Sequence, residues 1–549
     1  MAKPGIPKGT RDFSPAEVAK RQYIMSVIKR HFELFGFQPI ETPSFENSDT
    51  LMGKYGEEGD RLIFKVLDSG DYLSKVRDNV NDSTRLVQSY YKILNEINTS
   101  KQINIDYDFD NIFHLKLLSI FDNPNSSAYL FMQEYFKENK EQILKDFNSV
   151  DNLAVQSYIF SNSFSSFLKK YNEIFLSTKK VTSVISEKAL RYDLTVPFAR
   201  YVVQHQNDIT FPFKRYQIQP VWRADKPQKG RYREFYQCDA DVVGSTSLWQ
   251  EVELVQLYDA VFTSLGLAGV TIKINNRKVL GGIAEVIGAK DKLIDFTVAL
   301  DKLDKIGEAG VKAEMEAKGI SAEAIEKVQP LFNFTGTISE KIEQLASLLA
   351  SSEEGMKGVE ELRFICDNVA EIGLGTSFLD LDVTLARGLN YYTGAIFEVA
   401  APEGVKLGSI GGGGRYDDLT GIFDKNSKLS GVGISFGLDR IYLVIEDLGL
   451  FPETVTEGTK VLFVNFGDKE ALYAQKAVSQ LRVAGVKAEL YPDAAKIGKQ
   501  FQHADKRTIP YAVMAGDAEM ASGTYTLKNL GTGEQQSVTF DELVAVLNS

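Results

Sequence analysis

Three glycine-rich segments in the last third of the chain combine groups that could hold an anionic ligand. Arg387 opens the run RGLNYYTG (387–394), SIGGGGRYD (409–417) follows it, and GVGISFGLDR (431–440) closes the set. The guanidinium is always charged, glycine lets backbone come close to a bound group, and two tyrosines offer flat, partly polar walls. Alone, RGLNYYTG is also compatible with a surface loop before an aromatic strand; the three runs together favour a binding pocket.

A fourth segment, RADKPQKGRYREF (223–235), adds positive charge beside a predicted strand end. Residues 215–223 and 233–243 are typical of antiparallel strands, and residues 225–231 have the composition of the loop that joins them. Arg223 would then stand where a long cation can reach a ligand. For a single arginine a surface salt bridge is the simpler interpretation, so the surrounding run decides.

In their order along the chain, the four runs resemble the signature blocks of histidyl-tRNA synthetases, a class II aminoacyl-tRNA synthetase family. The run 223–235 is similar to class II motif 2, and 431–440 is similar to motif 3. The resemblance implies an α+β fold: a class II synthetase antiparallel-sheet catalytic domain with helical insertions, plus a C-terminal α/β anticodon-binding domain. It also implies a histidine–tRNA ligase that converts L-histidine and ATP to histidyl-adenylate and then charges the 3′ end of tRNA(His).

The adenylation step brings a carboxylate and phosphates together, so its catalysis depends on cations and positioning. By resemblance, Arg223 would hold the α-phosphate and the reacting carboxylate, and Arg387 would lie beside the same phosphate. Either Arg231 or Arg233 would reach the outer phosphates. Further ATP contacts are implied for Asp225 at adenine, Phe235 stacked on adenine and Arg440 at the γ-phosphate. Gln228 resembles a position that contacts the tRNA acceptor end, and Mg²⁺ is implied by the ATP chemistry with protein ligands unknown.

A histidine pocket needs polar groups, because a neutral imidazole has one donor and one acceptor nitrogen. The resemblance implies that Arg223 and Arg387 also contact histidine. It also implies that Asp193 and Thr195 hold the α-amino group and that Gln237 and Asp241 make further contacts in the amino-group and carboxyl region. Tyr391, Tyr392 and Tyr416 would line the imidazole slot. Unpaired polar groups penalise a wrong amino acid strongly, so histidine could be selected without an editing domain.

Composition restricts the broad class of protein. The chain has 549 residues, a net charge of −12 and two distant cysteines, Cys238 and Cys366, and it shows neither a signal peptide nor a run of about 18 apolar residues. We expect several domains, a cytoplasmic location and no membrane association. The acidic charge opposes general coating of nucleic acid but allows a local basic surface.

Segment composition divides the chain into six predicted segments. The catalytic domain is expected in three of them, 1–72 with motif 1, 187–285 with motif 2, and 371–452 with the histidine-specific motifs and motif 3. Between these lie a helical insertion of unknown role (73–186) and a helical module (286–370), and the anticodon-binding domain (459–549) follows. The 73–186 insertion departs from the family pattern. Strand and helix patterns alternate after 459, which predicts a largely parallel sheet.

The first helix has a marked beginning: Ser14 can cap it, Pro15 fits its first position, and Glu17 completes a capping box. This helix and the extended segment after it resemble class II motif 1, which implies a homodimer.

Two alternatives come from other functional classes. One is a non-catalytic histidine-sensing paralogue, such as the regulatory subunit of ATP phosphoribosyltransferase; the other is an RNA-binding protein without catalysis. The presence of Arg223, Arg387, Arg440 and a C-terminal α/β unit disfavours the first, and the aromatic pocket disfavours the second. A G-x-S-x-G match at 433–437 suggests a hydrolase elbow, but none of the four histidines has a triad context, so we interpret Ser435 as small packing.

Overall fold

A computed structural model describes residues 4–73, 130, 133–135, 137–139, 141, 169–170, 181–182, 185–386, 391–418, 420–424 and 428–548. Arg387 and most of the predicted 73–186 insertion lie outside the described residues. Contacts divide the chain into two compact units. The first unit is Met1–Arg11 with Val27–Val444, and the second is Asp12–Ser26 with Ile445–Ser549.

Sixteen strands are named among the described residues. The strands are β1 (Gln38–Pro39), β2 (Phe45–Asn47), β3 (Lys65–Val66), β4 (Lys188–Leu190), β5 (Phe213–Trp222), β6 (Glu234–Val243), β7 (Thr271–Asn276), β8 (Phe378–Leu381), β9 (Ala395–Ala400), β10 (Gly411–Arg415), β11 (Gly431–Gly437), β12 (Val461–Phe463), β13 (Ala488–Leu490), β14 (Tyr511–Met514), β15 (Tyr525–Asn529) and β16 (Gln535–Val538).

The helices of the described residues follow in the same way. They are α1 (Pro15–Leu34), α2 (Ser48–Leu51), α3 (Gly56–Leu62), α4 (Thr195–Gln204), α5 (Trp249–Ser264), α6 (Arg277–Val286), α7 (Leu293–Leu300), α8 (Leu303–Ala317), α9 (Ala322–Lys327), α10 (Gln329–Phe332), α11 (Ile338–Leu349), α12 (Glu353–Ile372), α13 (Leu438–Asp447), α14 (Asp468–Val483), α15 (Ile497–Lys506), α16 (Asp517–Ser522) and α17 (Phe540–Asn548). None of these described helices is long and apolar enough to cross a membrane.

The first unit is built on an eight-stranded sheet with the order β1-β5-β6-β11-β10-β9-β7-β8. The five pairings from β5 to β7 are antiparallel, and the outer pairs β1–β5 and β7–β8 are parallel. The predicted fold class is confirmed. The predicted hairpin is also present, because β5 and β6 pair from Phe213↔Val243 to Trp222↔Glu234 around the 223–233 loop.

The predicted start of α1 is confirmed in its details. The backbone N–H of Ser14 donates to Glu17 Oε2 at 2.7 Å, and the N–H of Glu17 donates to Ser14 Oγ at 3.4 Å. These reciprocal bonds satisfy two of the amides that a helix N-terminus leaves without intrahelical partners. After the helix, Gly36 has φ +81°, a left-handed conformation that glycine adopts without strain.

The second unit contains a five-stranded sheet with the order β13-β12-β14-β15-β16. The prediction of a largely parallel sheet was wrong: β13, β12 and β14 are parallel, but β15 and β16 are antiparallel additions. Their sequence, Tyr525–Val538, forms a hairpin whose short strands lack the long apolar runs of buried parallel strands. The buried side chains of β12, α14, β14, β15 and α17 form one core.

The two flanks of the predicted insertion meet in a small three-stranded sheet, β2-β4-β3. Lys65 and Val66 pair with Ala189 and Lys188, and the Asp68 N–H donates to the Ile185 carbonyl at 2.9 Å. The described flanks of the insertion therefore pair directly with each other at its base.

Replacing residues 75–185 by a short flexible linker should leave histidine-dependent adenylation intact, because the flanks already pair with each other. We would measure histidine-dependent ATP–pyrophosphate exchange and tRNA charging of the shortened and full-length chains. Loss of charging alone would assign the insertion to RNA contact. Loss of exchange in a shortened chain with a normal circular dichroism spectrum would contradict an accessory role.

A buried ion pair connects α5 to the glycine-rich strand β10. Glu251 has no exposed surface and Arg415 is 3% exposed. Arg415 Nε lies 2.5 Å from Glu251 Oε1, and its Nη2 lies 2.7 Å from Oε2. Arg415 also donates to Ser430 Oγ and to two carbonyls, so its donors are used in several directions. A second carboxylate, Asp417 Oδ1, lies 3.5 Å from Arg415 Nη1 but is partly exposed. Removing Glu251 would leave the buried charge of Arg415 with only this weaker partner.

The Glu251→Gln variant should lower the free energy of unfolding of the catalytic unit by about 3–5 kcal/mol, because Arg415 keeps its charge and loses its buried, bidentate carboxylate partner. Chemical denaturation followed by fluorescence would measure the change. Glu253→Gln is the matched control: Glu253 is in the same helix and contacts Lys214 at a partly exposed ion pair, so its loss should cost less than about 1 kcal/mol. Equal destabilisation by both variants would contradict this account.

Candidate active site

The floor of the site is a polar face of the eight-stranded sheet. Side chains alternate between faces along a strand, so Gln237, Asp239 and Asp241 of β6 share one face. The strand pairings place them beside Gln219, Gln217 and Arg215 of β5 on one side, and beside Gly437, Ser435 and Gly433 of β11 on the other.

Glycines on β10 and β11 keep this face open. A Cβ atom on Gly433 would overlap the carboxylate of Asp241, and one on Gly413 would overlap the carbonyl of Gly433. The glycine runs therefore let a polar side chain and a neighbouring backbone occupy space that any larger residue would fill. This is the physical reason for the glycine content noted in the sequence.

A cavity of about 340 Å³ lies over the end of this face that is nearer the 223–233 loop. Of the residues predicted to bind ATP, it is lined by Arg223, Asp225, Arg231, Phe235 and Arg440. The cavity is also lined by Glu398 of β9 and by the glycines at the start of β10, which the sequence analysis did not assign.

Backbone carbonyls and aromatic rings hold the arginines of this cavity in place. Arg223 donates from Nε to the Tyr192 carbonyl at 3.0 Å, and its guanidinium lies 4.2 Å from the Tyr192 ring centroid and 5.3 Å from that of Phe235. Arg440 donates to the carbonyls of Gly230 and Ser409. Burial and the positive charges of Arg231 and Arg223 lower the pKa of Arg440, which marks the cavity as a place for anions.

Two predicted residues of the loop do not line this cavity. Arg233 donates from Nε to the Asp225 carbonyl at 3.1 Å and from Nη1 to the Lys8 carbonyl at 3.4 Å, so it braces the loop. Gln228 exchanges backbone hydrogen bonds with Arg231 at the loop tip. Of the two arginines proposed for the outer phosphates, Arg231 is therefore the one at the cavity.

The N-terminal segment also supports the cavity, which the sequence analysis missed. Arg11 forms an ion pair with Asp439 at 2.5 Å, and its guanidinium lies 3.6 Å from the centroid of the Tyr232 ring. Asp439 in turn accepts a hydrogen bond from the Tyr236 N–H at 3.2 Å. A run such as KGTRD near an N-terminus carries no local signal of this long-range contact.

A smaller cavity of about 40 Å³ continues the same face toward Asp241. Seven of the residues predicted for histidine line it: Asp193, Thr195, Gln237, Asp241, Tyr391, Tyr392 and Tyr416. Gln237, Tyr392 and Ser435 line both cavities, so the two spaces adjoin at these side chains.

Two acidic groups of the smaller cavity, Asp193 and Asp241, are buried and specifically paired. Asp193 accepts hydrogen bonds from Tyr55 Oη at 2.9 Å, Tyr391 Oη at 3.2 Å and the Val196 N–H at 3.1 Å. Asp241 accepts one from Tyr416 Oη at 2.6 Å and lies 2.7 Å from Arg215 Nη2. Burial raises the pKa of both carboxyls, while Arg223 near Asp193 and Arg215 near Asp241 act in the opposite direction.

The interpretation of Ser435 as packing was incomplete. Ser435 lies in the middle of β11, so it has no strand-to-helix elbow, but its Oγ accepts a hydrogen bond from Gln237 Nε2 at 3.1 Å. The sequence analysis also missed Asp239 and Tyr55. The alternation Gln237, Asp239, Asp241 along a strand could have indicated Asp239, whereas nothing local could have indicated Tyr55.

A mostly antiparallel sheet that carries an arginine-lined cavity and an adjoining tyrosine-lined acidic cavity is the arrangement expected from the resemblance to class II aminoacyl-tRNA synthetases, which are ligases. The chain matches the family described as histidyl-tRNA synthetase over residues 9–79 and 173–441, and that described as anticodon binding domain over residues 460–549. The chain therefore belongs to the histidyl-tRNA synthetase family.

Individual relatives match this chain over its full length. A histidine–tRNA ligase of Flavobacterium johnsoniae is 64% identical over 546 residues, covering 100% of this chain and 99% of the relative. One of Phocaeicola vulgatus is 50% identical, with 100% of both chains covered. The crystal structure of histidyl-tRNA synthetase from Nostoc sp. PCC 7120 has a TM-score of 0.68 at 27% identity, with 100% and 99% of the two chains covered. The function is thus that of a histidine–tRNA ligase, and the regulatory-paralogue alternative is rejected.

Proposed function

We propose that the larger cavity holds ATP, that the smaller one holds L-histidine, and that the histidine carboxylate meets the α-phosphate where the cavities adjoin. The observation that carries this assignment is the shared lining by Gln237, Tyr392 and Ser435. Adenylation needs both reactants in one line, and adjoining cavities on one rigid sheet face supply that alignment. The product, histidyl-adenylate, would then give its histidyl group to the 3′ end of tRNA(His).

Arg223 is the proposed cation at the reacting centre. It lines the larger cavity, and its charge opposes the rise that burial causes in the pKa of Asp193 in the smaller one, so it acts on both. Its fixed position lets it neutralise negative charge as the carboxylate approaches the α-phosphate. Phe235 would stack on adenine with Asp225 nearby, and Arg231 and Arg440 would hold the outer phosphates. Arg387, which lies outside the described residues, keeps its role beside the α-phosphate on the strength of the sequence resemblance alone.

In the smaller cavity, Asp193, Thr195 and Gln237 are proposed to bind the α-amino end of histidine. The resemblance implies an amino-group or carboxyl-region contact for Asp241, but Asp241 lines only the smaller cavity whereas Gln237 also lines the larger one, so we assign Asp241 to the ring instead. Tyr391, Tyr392 and Tyr416 would enclose the imidazole. Tyr391 and Tyr392 are 5.0 Å apart between ring centroids and edge-on to each other, which gives the pocket two walls of fixed orientation.

Mg²⁺ is proposed to bind through substrate phosphates and one protein carboxylate. No group of three or more potential metal ligands occurs among the described residues. The donor set in the larger cavity still fits, because Mg²⁺ commonly keeps several waters and uses one or two carboxylates together with phosphate oxygens. Glu398 lines the cavity and is the candidate ligand; when bound, Mg²⁺ would neutralise phosphate charge.

The assembly around the site is also proposed. Gln228 would contact the tRNA acceptor end, since it lies at the tip of the loop beside the ATP cavity.

A homodimer is supported by the resemblance of the first helix and strand to motif 1, and by the exposed apolar side chains of Leu34, Phe45 and Leu67 in that region of the chain. Both cysteines are free, which fits a cytoplasmic location. The division of the sequence into six segments stays our proposal for the domain organisation.

The Arg387→Ala variant should slow adenylation by roughly 10²–10³-fold, the effect of losing one preorganised charged donor at developing phosphate charge. Single-turnover formation of histidyl-adenylate under saturating ATP and histidine would measure it. The dissociation constant of histidine should change much less. An unchanged adenylation rate would contradict the proposed role. Arg233→Ala is the control: it removes an arginine near the site that does not line the cavity, so the loss should be smaller.

A further inference from the structure

The three aspartates of the smaller cavity differ in whether their carboxylate oxygens already have partners in the protein. Asp193 receives three hydrogen bonds, and Asp241 is held by Arg215 and Tyr416. Asp239 is 2% exposed, lines the cavity, and its Oδ1 has no hydrogen-bond partner among the described residues. A buried polar atom without a partner is costly, so its retention at a cavity wall indicates that a ligand supplies the partner.

The electrostatic surroundings of Asp239 differ from those of Asp241, which lies two residues along the same strand. Arg215 of β5 directs its Nη2 to Asp241, and Asp193, which precedes α4, adds a second negative charge. Tyr258 of α5, Tyr392 before β9 and Ser435 of β11 also face Asp239. Burial above all, and then the charge of Asp241, raises the pKa of Asp239 to about 7, against the opposing effects of Arg215 and Ser435.

Two carboxyl groups in opposite protonation states match a neutral imidazole. The ring has one N–H donor and one bare nitrogen acceptor. An ionised carboxylate can accept from the N–H, and a neutral carboxylic acid can donate to the bare nitrogen. Two ionised carboxylates would leave the bare nitrogen facing a negative charge, which is unfavourable in a buried site.

We propose that Asp239 is a specificity-determining residue that binds histidine as a neutral carboxylic acid and donates a hydrogen bond to the bare ring nitrogen, while ionised Asp241 accepts from the ring N–H. This proposal rests on the proposed function of the smaller cavity. It extends that function, because the recognised ligand is specifically the neutral imidazole and the donor is a residue outside the predicted set.

If Asp239 donates as a neutral acid, the number of protons released or taken up when histidine binds must depend on pH. Below about pH 6 free histidine is largely an imidazolium ion with an ordinary pKa near 6.5, so binding the neutral ring must release a proton. Above about pH 7 the Asp239 carboxyl of the free protein is ionised, so binding must take up a proton. The number of protons exchanged should therefore change sign between these values, and affinity should be highest between them.

Isothermal titration calorimetry of histidine into the full chain, in pairs of buffers with different ionisation enthalpies from about pH 5.5 to 8.5, tests this directly. We expect proton release near the lower limit and net uptake at about pH 8. Tight binding at about pH 8 without uptake would overturn the proposal and leave the cavity assignment intact. Absence of histidine binding at every pH would instead overturn the proposed function.

Matched variants distinguish hydrogen-bond donation by the Asp239 side chain from its contribution to packing. Asp239→Asn keeps a donor that cannot titrate, so it should abolish the proton uptake at about pH 8 and bind histidine within a few-fold of the parent chain at about pH 6. Asp239→Ala should weaken binding about ten- to hundred-fold at both values, since one buried ring nitrogen loses its partner. Asp241→Asn, the same change two residues away, should weaken binding at every pH. Equal losses in Asp239→Asn and Asp239→Ala would contradict donation. If a variant does not fold, the proton count of the parent chain decides.

Discussion

The structure depends on keeping a strongly polar sheet face buried and still open to a ligand. On β5 and β6, Arg215, Gln237, Asp239 and Asp241 lie on the face that in an ordinary sheet would carry apolar core. Charges buried in this way must be paired, and most are: Arg215 with Asp241, and Asp193 with two tyrosines. The glycines of β10 and β11 then prevent side chains from filling the space above them. Together these constraints produce a preorganised cavity instead of a packed core.

Preorganisation explains why arginines dominate one end of this face and tyrosines the other. At the end that we propose for ATP, backbone carbonyls hold Arg223 and Arg440 in place, so little reorganisation would be needed as charge develops on a bound phosphate. At the end that we propose for histidine, hydroxyl groups and buried carboxyls line a space of about 40 Å³. In this proposal, specificity comes from polar groups that a wrong amino acid would leave unpaired.

Local sequence signals predicted the regions of the fold that local chemistry controls. Sequence predicted the capping box of α1, the β5–β6 hairpin and the glycine-rich strands. Each was predictable because a helix cap, a turn or a close backbone approach accepts only a few residue types. The β15–β16 hairpin was missed, so the second sheet was expected to be more parallel than it is. At the site, five of the residues predicted for ATP line the larger cavity and seven of those predicted for histidine line the smaller one. Arg11, Tyr55 and Asp239 were missed because their roles depend on contacts between distant regions of the chain or on small differences in charge pairing.

The central claim is that one sheet face positions a histidine carboxylate against the α-phosphate of ATP. The most direct test is amino-acid-dependent ATP–pyrophosphate exchange, measured without tRNA for each of the twenty amino acids. The account predicts exchange with histidine alone. Exchange with several amino acids, or none with histidine although histidine binds, would contradict it.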